Sequence, residues 1–220
     1  MTAAQRASLP STRMDRRKAE SRQKLLDAAR RLFIEQGYHA TRPQDIARAA
    51  DVGYGTFYLH FSDKRDCFLA FAEAARAELE CFVHERLDGV EGVEPQLRAL
   101  IEALLDYAER NPGVLKAAMT DVSVIDGEAP PGGSLIDRWA AQWVAKLRAL
   151  AEARAIFPDY DLEVAGPAIV GLIRGAVDVG RRRRAALIDT VARFLTRALV
   201  PESAAETAKR HKFIPGKAES

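Results

Sequence analysis

One stretch of the chain decides its fold: residues 43–61, Pro-Gln-Asp-Ile-Ala-Arg-Ala-Ala-Asp-Val-Gly-Tyr-Gly-Thr-Phe-Tyr-Leu-His-Phe. In its first half, Ile46, Ala47 and Ala50 recur at the three-to-four-residue spacing that lines one face of a helix. Asp51-Val52-Gly53 interrupts this pattern, because aspartate tolerates and glycine favours the left-handed backbone of a sharp turn. The stretch therefore predicts a short helix that ends in a tight turn.

A second short helix is predicted after the turn, with Phe57 and Phe61 on its buried side. Its start carries residues 53–56, Gly-Tyr-Gly-Thr, which are small or form hydrogen bonds and add little apolar bulk. Two short helices joined in this way form a helix-turn-helix, whose second helix enters the DNA major groove with its N-terminal residues. The sequence thus predicts a DNA-reading head.

The pattern becomes specific between residues 55 and 64. Gly55-Thr56-Phe57-Tyr58, followed by His60-Phe61 and Lys64, resembles the DNA-binding domain of the TetR (tetracycline-repressor-like) family. The resemblance implies an all-α fold of about nine helices, with an N-terminal three-helix helix-turn-helix head and a larger helical ligand-binding and dimerisation body. With the chemistry of the side chains, it predicts these DNA-binding residues: Thr41, Arg42, Gln44, Gly53, Tyr54, Gly55, Thr56, Tyr58, His60 and Lys64.

Roles within this set follow from the side chains. Tyr54, flanked by glycines that allow close approach to the duplex, is expected to contact a base edge or a thymine methyl group. Tyr58 and Lys64 are expected to contact phosphates. For Tyr58 the alternative is a ring packed inside the head with only its hydroxyl exposed.

Two positions depart from the family pattern. Arg42 stands where the family usually has threonine or serine, and arginine cannot accept the free amide hydrogens at a helix start. Pro43 is therefore expected to start the helix, while Arg42 gains a possible phosphate contact. Asp51 replaces the glycine that the family prefers in the turn.

By resemblance, the chain is expected to be a homodimeric repressor that a small apolar or aromatic effector releases from a palindromic operator. An activator or a ligand-independent repressor of the same fold is the alternative. An all-helical enzyme is a remote one, because His39, His60, His84 and His211 lack metal-ligand spacing and no glycine-rich phosphate loop occurs. We expect no enzyme activity, no cofactor and no metal. A nonspecific nucleic-acid protein would show affinity that depends on salt but not on sequence.

Charge is unevenly distributed along the chain. The net charge is +2, but residues 1–60 hold 11 Lys/Arg against 6 Asp/Glu, a balance of +5, and the remainder holds 22 against 25, or −3. A basic N-terminal quarter favours a polyanionic partner at that end, although a solvated basic arm would give the same balance. No apolar run reaches the roughly 18 residues of a membrane span, and the N-terminus has no apolar signal core. We expect a cytoplasmic protein without a membrane partner.

The domain boundaries follow from composition and periodicity. We predict a mobile basic arm over residues 1–18 and a helix-turn-helix domain over 19–65. A helical body over 66–200 and a flexible tail over 201–220 complete the chain. Cys67 and Cys81 fall in one predicted helix, too far apart to bond, and are expected to be reduced core residues.

An effector pocket would lie between the long helices of the body. Its predicted lining is mostly aromatic and apolar: Phe68, Phe71, Phe82, Leu104, Met119, Trp139, Trp143 and Arg174. Ordinary core packing is the alternative for each apolar member. Arg174 lies four residues before Asp178, so it either pairs with that carboxylate or binds an anionic group of a ligand.

The last two helices are the predicted dimer surface. The residues expected at this surface are Ile169, Ile173, Val177, Leu187, Val191 and Leu195. Gly171 and Gly175 would permit close approach of the helices. Packing of the same residues within one subunit is the alternative. Arg181 to Arg184 is expected to be a solvated connector rather than a second nucleic-acid contact.

Overall fold

The computed structural model of the chain describes residues 13–119, 135–157, 159–179 and 183–201, without the side chains of 135 and 176–179. Every regular element within those ranges is a helix, which confirms the all-α prediction. The nine helices are α1 (Arg13–Ala40), α2 (Pro43–Ala49), α3 (Tyr54–Tyr58), α4 (Lys64–Leu87), α5 (Val93–Arg110), α6 (Val114–Ala118), α7 (Leu135–Glu152), α8 (Leu162–Val179) and α9 (Arg184–Leu199). Residues 1–12 of the predicted arm and 202–220 of the predicted tail lie outside the described ranges.

The described residues divide into two compact units, and the division falls inside α4. The first unit comprises residues 13–74 and 116–119. The second unit comprises 75–115, 135–157, 159–179 and 183–201. The functional boundary after residue 65 stays a prediction.

α1 extends into the predicted arm. It begins at Arg13, so residues 13–18 of that arm are helical, with exposed side chains. Gly37 has φ 80° and ψ 170° and produces a kink before the last residues up to Ala40. Glycine adopts this positive φ without the steric cost that a Cβ would bring.

Four rings form the aromatic core of the first unit. Phe33 and Tyr38 of α1 lie 5.1 and 5.0 Å from Phe68 of α4, measured between ring centroids, and both pairs are edge-to-face. Phe71 packs 5.7 Å from Phe33. Phe68 and Phe71 are buried. Their rings join α1 to α4, and their place in a ligand pocket stays a prediction.

α7 and α8 pack closely in the second unit. A Cβ built on Gly166 of α8 would lie 2.6 Å from Cγ2 of Val144 and 2.9 Å from the carbonyl oxygen of Ala140. The missing side chain of Gly166 thus sets the separation of the two helices. Pro167, the next residue, lies inside α8 and lacks the amide hydrogen of an ordinary helical residue.

Two aspartates join α9 to α5. Asp106 of α5 accepts hydrogen bonds from Arg184 of α9 and, at 2.7 Å, from Arg86 of α4. Burial opposes the charge of Asp106, but the two arginines outweigh it and lower the pKa of the carboxyl below its ordinary value of 3.8. Asp189 of α9 accepts from Arg98 of α5 and from Arg193, and these bonds likewise lower its pKa.

The two cysteines differ in environment. Cys67 is buried, and burial raises the pKa of its thiol to about 12. Cys81 is exposed, and its Sγ lies 3.6 Å from Oε1 of Glu85. Both are free thiols, as predicted, but the prediction that both are core residues is wrong for Cys81.

Replacement of Gly166 by alanine is expected to destabilise the second unit. Overpacking costs about 1–3 kcal/mol, more than the ~1 kcal/mol that alanine returns through helix propensity, so the urea midpoint should fall. Val144→Ala removes the nearest atom. Its own destabilisation should therefore be smaller in the Gly166→Ala background than in the wild type. A raised midpoint for Gly166→Ala would contradict the close contact.

Asp106→Asn is expected to lower stability at neutral pH, and its effect should shrink in acid. Because the folded pKa is lower than the unfolded one, the charged carboxylate stabilises the fold above about pH 3.8, and this contribution is lost as the pH falls further. Urea unfolding of wild type and variant between pH 7 and pH 3 measures the difference. Asp88→Asn, at an exposed aspartate, is the control. A difference that stays constant with pH would refute the assignment.

Candidate nucleic-acid interface

The turn between α2 and α3 has the predicted backbone. Asp51 adopts φ 54°, the left-handed region, and the amide of Val52 donates to the carbonyl of Ala47 at 3.1 Å. Arg42 precedes α2 without a side-chain cap, and Pro43 occupies its first turn, as the sequence indicated. Four residues, 50–53, thus connect the two short helices in a tight turn.

One face of each of these helices is buried. Ile46 and Ala47 of α2 and Phe57 of α3 are buried, together with Phe61 just beyond α3. The rings of Phe57 and Phe61 lie 5.6 Å apart. Because these side chains point inward, the opposite side of α3 faces solvent.

The solvent side of α3 carries two tyrosines. Tyr54 is 45% exposed and Tyr58 is 47% exposed, so neither ring is inside the unit and the buried alternative for Tyr58 does not apply. Their rings are edge-to-face at 5.2 Å. The two hydroxyl oxygens are 2.7 Å apart, and Nε2 of Gln44 donates to the Tyr54 hydroxyl at 3.2 Å. We call these three residues the Gln44–Tyr54–Tyr58 cluster.

The hydrogen bond within the tyrosine pair also affects acidity. It is the main cause that raises the pKa of Tyr58 above its ordinary value of 10, with smaller contributions from burial and from the charges of Tyr54 and Asp63. The hydroxyl therefore stays protonated at neutral pH and can donate to an acceptor.

His60 joins the end of this region to α1. Its Nε2 lies 2.7 Å from Oγ of Ser21, whose own hydroxyl donates to the carbonyl of Lys18 at 3.0 Å. Since that hydroxyl hydrogen is committed, Nε2 of His60 is the donor. Burial lowers the pKa of His60, and the nearby charges of Lys18 and Arg22 lower it further. The predicted DNA-binding histidine is thus half-buried and bonded to α1.

Lys64 is engaged with the end of α1. Its Nζ donates to the carbonyls of Tyr38 at 3.0 Å and His39 at 3.4 Å, and it lies 4.2 Å from the centroid of the Tyr38 ring. Asp63, just before α4, accepts from the amide of Asp66 at 2.7 Å and so caps the start of that helix. Sequence reasoning assigned Lys64 to phosphate and missed its bonds to α1, because the residues are far apart in the chain.

Thr41 is the predicted DNA-binding residue that the structure places inside. Its side chain is fully buried, donates to the carbonyl of Gly37 at 2.8 Å and accepts from Gln36 at 3.4 Å. A direct DNA contact through this hydroxyl is therefore corrected to a structural bond at the kink of α1. Thr56 is half-buried, whereas the remaining members are exposed: Arg42, Gln44, Gly53, Tyr54, Gly55 and Tyr58.

The other predicted effector residues do not gather at one described cavity. Leu104 and Trp143 are buried in the second unit, while Trp139 is half-buried and Arg174 exposed. Phe82 packs against Tyr107 at 5.8 Å, with the guanidinium groups of Arg86 and Arg110 within 5.3 Å of its ring. Met119 belongs to the first unit. The partner predicted for Arg174, Asp178, has a side chain outside the described set.

An apolar groove of about 420 Å³ runs along α8 and α9 instead. Its lining is Tyr160, Asp161, Val164, Ala165, Ala168, Ile169, Leu172, Phe194, Leu195, Ala198 and Leu199. Val164 is 64% exposed and Phe194 60% exposed, which is unusual for large apolar side chains. None of the eight predicted effector residues lines this groove.

The predicted dimer residues lie on the inner side of the same two helices. Ile169, Ile173, Val191 and Leu195 are buried within the protomer, and Leu187 is half-buried. They pack within one protomer, and their place at a dimer surface stays a prediction. The periodicity identified the apolar stripe of these helices, but it did not show which apolar side chains beside the stripe are exposed. The side chain of Val177 and residues Arg181 and Arg182 lie outside the described set.

The described part of the chain contains no group of three or more His, Cys, Asp or Glu side chains that could hold a metal ion. Within the same residues, no helix combines the length and the apolar character needed to cross a membrane.

Comparison with known proteins agrees with the helix-turn-helix geometry. Residues 25–71 match the family of bacterial regulatory proteins known as the tetR family. The activator FasR of Mycolicibacterium smegmatis is 35% identical over 92 residues, which cover 42% of this chain and 42% of FasR. The repressor AcnR of Corynebacterium glutamicum is 33% identical over 82 residues, covering 37% and 41%. The chain thus spans about two fifths of the length of these relatives.

Structural similarity extends further along the chain. A crystal structure of a gamma-butyrolactone receptor (ArpA-like protein) superimposes with a TM-score of 0.61 at 23% identity and covers 87% of this chain and 94% of that one. At this identity the likeness establishes the fold. The relatives by sequence are named transcriptional regulators rather than enzymes, in agreement with the prediction of a non-enzymatic protein. The helix-turn-helix segment, within residues 25–71, is thus similar to the tetR family of bacterial regulatory proteins, and the chain shares its fold with the gamma-butyrolactone receptor.

Proposed function

We propose that this protein is a transcriptional regulator that reads DNA with α3. The observation that carries the proposal is the outward face of α3, where Tyr54 and Tyr58, four residues apart, are exposed while Phe57 is buried. A helix anchored on one side and polar on the other suits insertion into the major groove. The sequence relatives, an activator and a repressor among them, support the same role. The protein would act in the cytoplasm, where its DNA target is found.

We further propose a repressor that a small apolar or aromatic effector releases. The aromatic and apolar composition of the second unit supports such a ligand, and a structural neighbour is itself named a gamma-butyrolactone receptor. The effector would favour a state in which the two heads of a dimer no longer match the operator. Activation is the second candidate, favoured by the name of FasR.

A dimer is proposed because one helix-turn-helix covers few base pairs. Specific affinity requires two half-sites read by a two-fold symmetric pair. The groove of α8 and α9, with exposed Val164 and Phe194, supplies an apolar surface for a second copy of the chain. Four helices, two from each copy, would bury these side chains.

DNA binding is tested by fluorescence anisotropy at physiological salt. The probe is a duplex covering the region beside the protein's own gene, and a scrambled duplex is the control. Tight binding to the first alone is expected, and Tyr54→Ala should weaken it roughly 5- to 150-fold, since one base contact contributes about 1–3 kcal/mol. If binding is weak and equal for both duplexes, the anisotropy measurement is repeated with protein that was unfolded in urea and refolded free of small molecules. Failure there as well would refute the proposal.

The dimer is tested by sedimentation velocity. Phe194→Asp and Val164→Asp each place a charge on the apolar surface of α8 and α9, so both variants are expected to sediment as monomers. Leu59→Asp is the matched control, because Leu59 is an exposed apolar side chain of the first unit. It should leave the dimer intact. A wild-type monomer, or dimers of all three variants, would show that this surface does not join two copies.

A further inference from the structure

We infer that Gln44, Tyr54 and Tyr58 read DNA as one unit, in which Tyr54 fixes the orientation of the Gln44 carboxamide so that it recognises an adenine. The inference rests on the proposed DNA-reading function and names the base class that the site selects. Tyr54 is a positioning residue here, since it acts through Gln44. All three side chains are exposed, and the Tyr54 hydroxyl is hydrogen-bonded to each of the other two.

The hydrogen bonds of the Gln44–Tyr54–Tyr58 cluster leave one edge of the amide for a ligand. Nε2 of Gln44 carries two hydrogens, and one of them is given to the Tyr54 hydroxyl at 3.2 Å. We assign to Tyr54 the hydrogen that points away from Oε1. The other hydrogen and Oε1 then form a single edge with one donor and one acceptor.

That edge is complementary to adenine in the major groove. Adenine presents N7 as an acceptor and its N6 amino group as a donor, so the amide donates to N7 and accepts from N6. Guanine presents two acceptors, N7 and O6, and Oε1 would face O6 without a hydrogen between them. The cluster therefore selects adenine over guanine at one position of each half-site.

Tyr58 makes this orientation unique. A tyrosine hydroxyl both donates and accepts, so Tyr54 alone would accept a glutamine amide in either of its two orientations. The Tyr58 oxygen lies 2.7 Å away, and either hydroxyl can donate to the other. A phosphate oxygen only accepts, so when Tyr58 donates to a DNA phosphate, its own oxygen accepts the hydrogen of Tyr54. The edge-to-face rings at 5.2 Å keep the two oxygens together. Tyr54 is then only an acceptor toward Gln44, and oxygen and nitrogen of the amide cannot exchange.

The same chain of donors ends at the DNA backbone. With the hydrogen of Tyr54 given to Tyr58, the hydrogen of Tyr58 points outward and can be donated to a phosphate oxygen. The direction of donation is then Gln44 to Tyr54 to Tyr58 to phosphate. A phosphate contact at Tyr58 thus reinforces base reading at Gln44, although Tyr58 touches no base.

The experiment uses the full-length protein and a duplex selected by the wild type from a randomised library. Each adenine of the selected half-site is replaced in turn by guanine, and the dissociation constant is measured by anisotropy. For the wild type, one position should lose roughly 5- to 150-fold in affinity, and Gln44→Ala should remove that loss. Purine at the same position, which lacks the N6 amino group, should also weaken wild-type binding.

The variants Tyr54→Phe and Tyr58→Phe separate positioning from packing, because each keeps its ring and loses only the hydroxyl. Both should reduce the adenine preference at the Gln44 position to about twofold or less, while preferences at the other positions stay unchanged. Tyr58→Phe should in addition weaken binding to every duplex alike. Tyr107→Phe is the matched control, because it removes a tyrosine hydroxyl that donates to Glu78 in the second unit, and it should keep the preference.

Different failures refute different statements. An unchanged adenine preference in Tyr54→Phe, or a position sensitive to Gln44→Ala that prefers another base, would refute the inference and leave the proposed function intact. If the library yields no duplex that binds better than a scrambled one, the proposed function itself fails, and the inference with it.

Discussion

A five-residue helix does not persist in water on its own, so α3 depends on the burial of Phe57. Helix nucleation is costly, and isolated helices shorter than about 12–15 residues are marginal. Phe57 is buried beside Phe61, and this contact holds α3 against the rest of the first unit. Tyr54 and Tyr58, four residues apart, share the neighbouring face of α3, and both are exposed. The surface proposed to read DNA thus depends on one buried ring that keeps α3 in place.

The first unit is completed by contacts between residues distant in sequence. Phe33 and Tyr38 of α1 pack on Phe68 of α4, and Lys64 donates to the carbonyls at the end of α1. These contacts close the unit around α2 and α3. They also place Phe68 and Phe71 of α4 in the core, although the aromatic character of both side chains would suit the lining of a ligand pocket as well.

The second unit combines charged and apolar contacts on different faces of α9. Toward α5, Asp106 and Asp189 each bridge two arginines, and the lowered pKa values of both carboxyls show that the pairs favour the charged state. Toward α8, apolar side chains line the groove and leave Phe194 exposed. The charged side attaches α9 within the protomer, and the apolar side is the surface proposed for a second copy.

The amino-acid sequence by itself determined the helical class, the turn at Asp51 and the buried positions Ile46 and Phe57, because local periodicity and backbone preference specify short-range structure. It also predicted DNA contacts for Tyr54 and Tyr58 of the second short helix, and both side chains are exposed. Only the tertiary structure decided that Thr41 is buried, that Lys64 binds the end of α1 and that Gln44, Tyr54 and Tyr58 are hydrogen-bonded. Those facts depend on distances between side chains of different elements, which periodicity within one element does not encode. For the same reason, periodicity identified the apolar stripe that contains Ile169 and Leu195, but only the packing of the folded protomer shows that these side chains point inward.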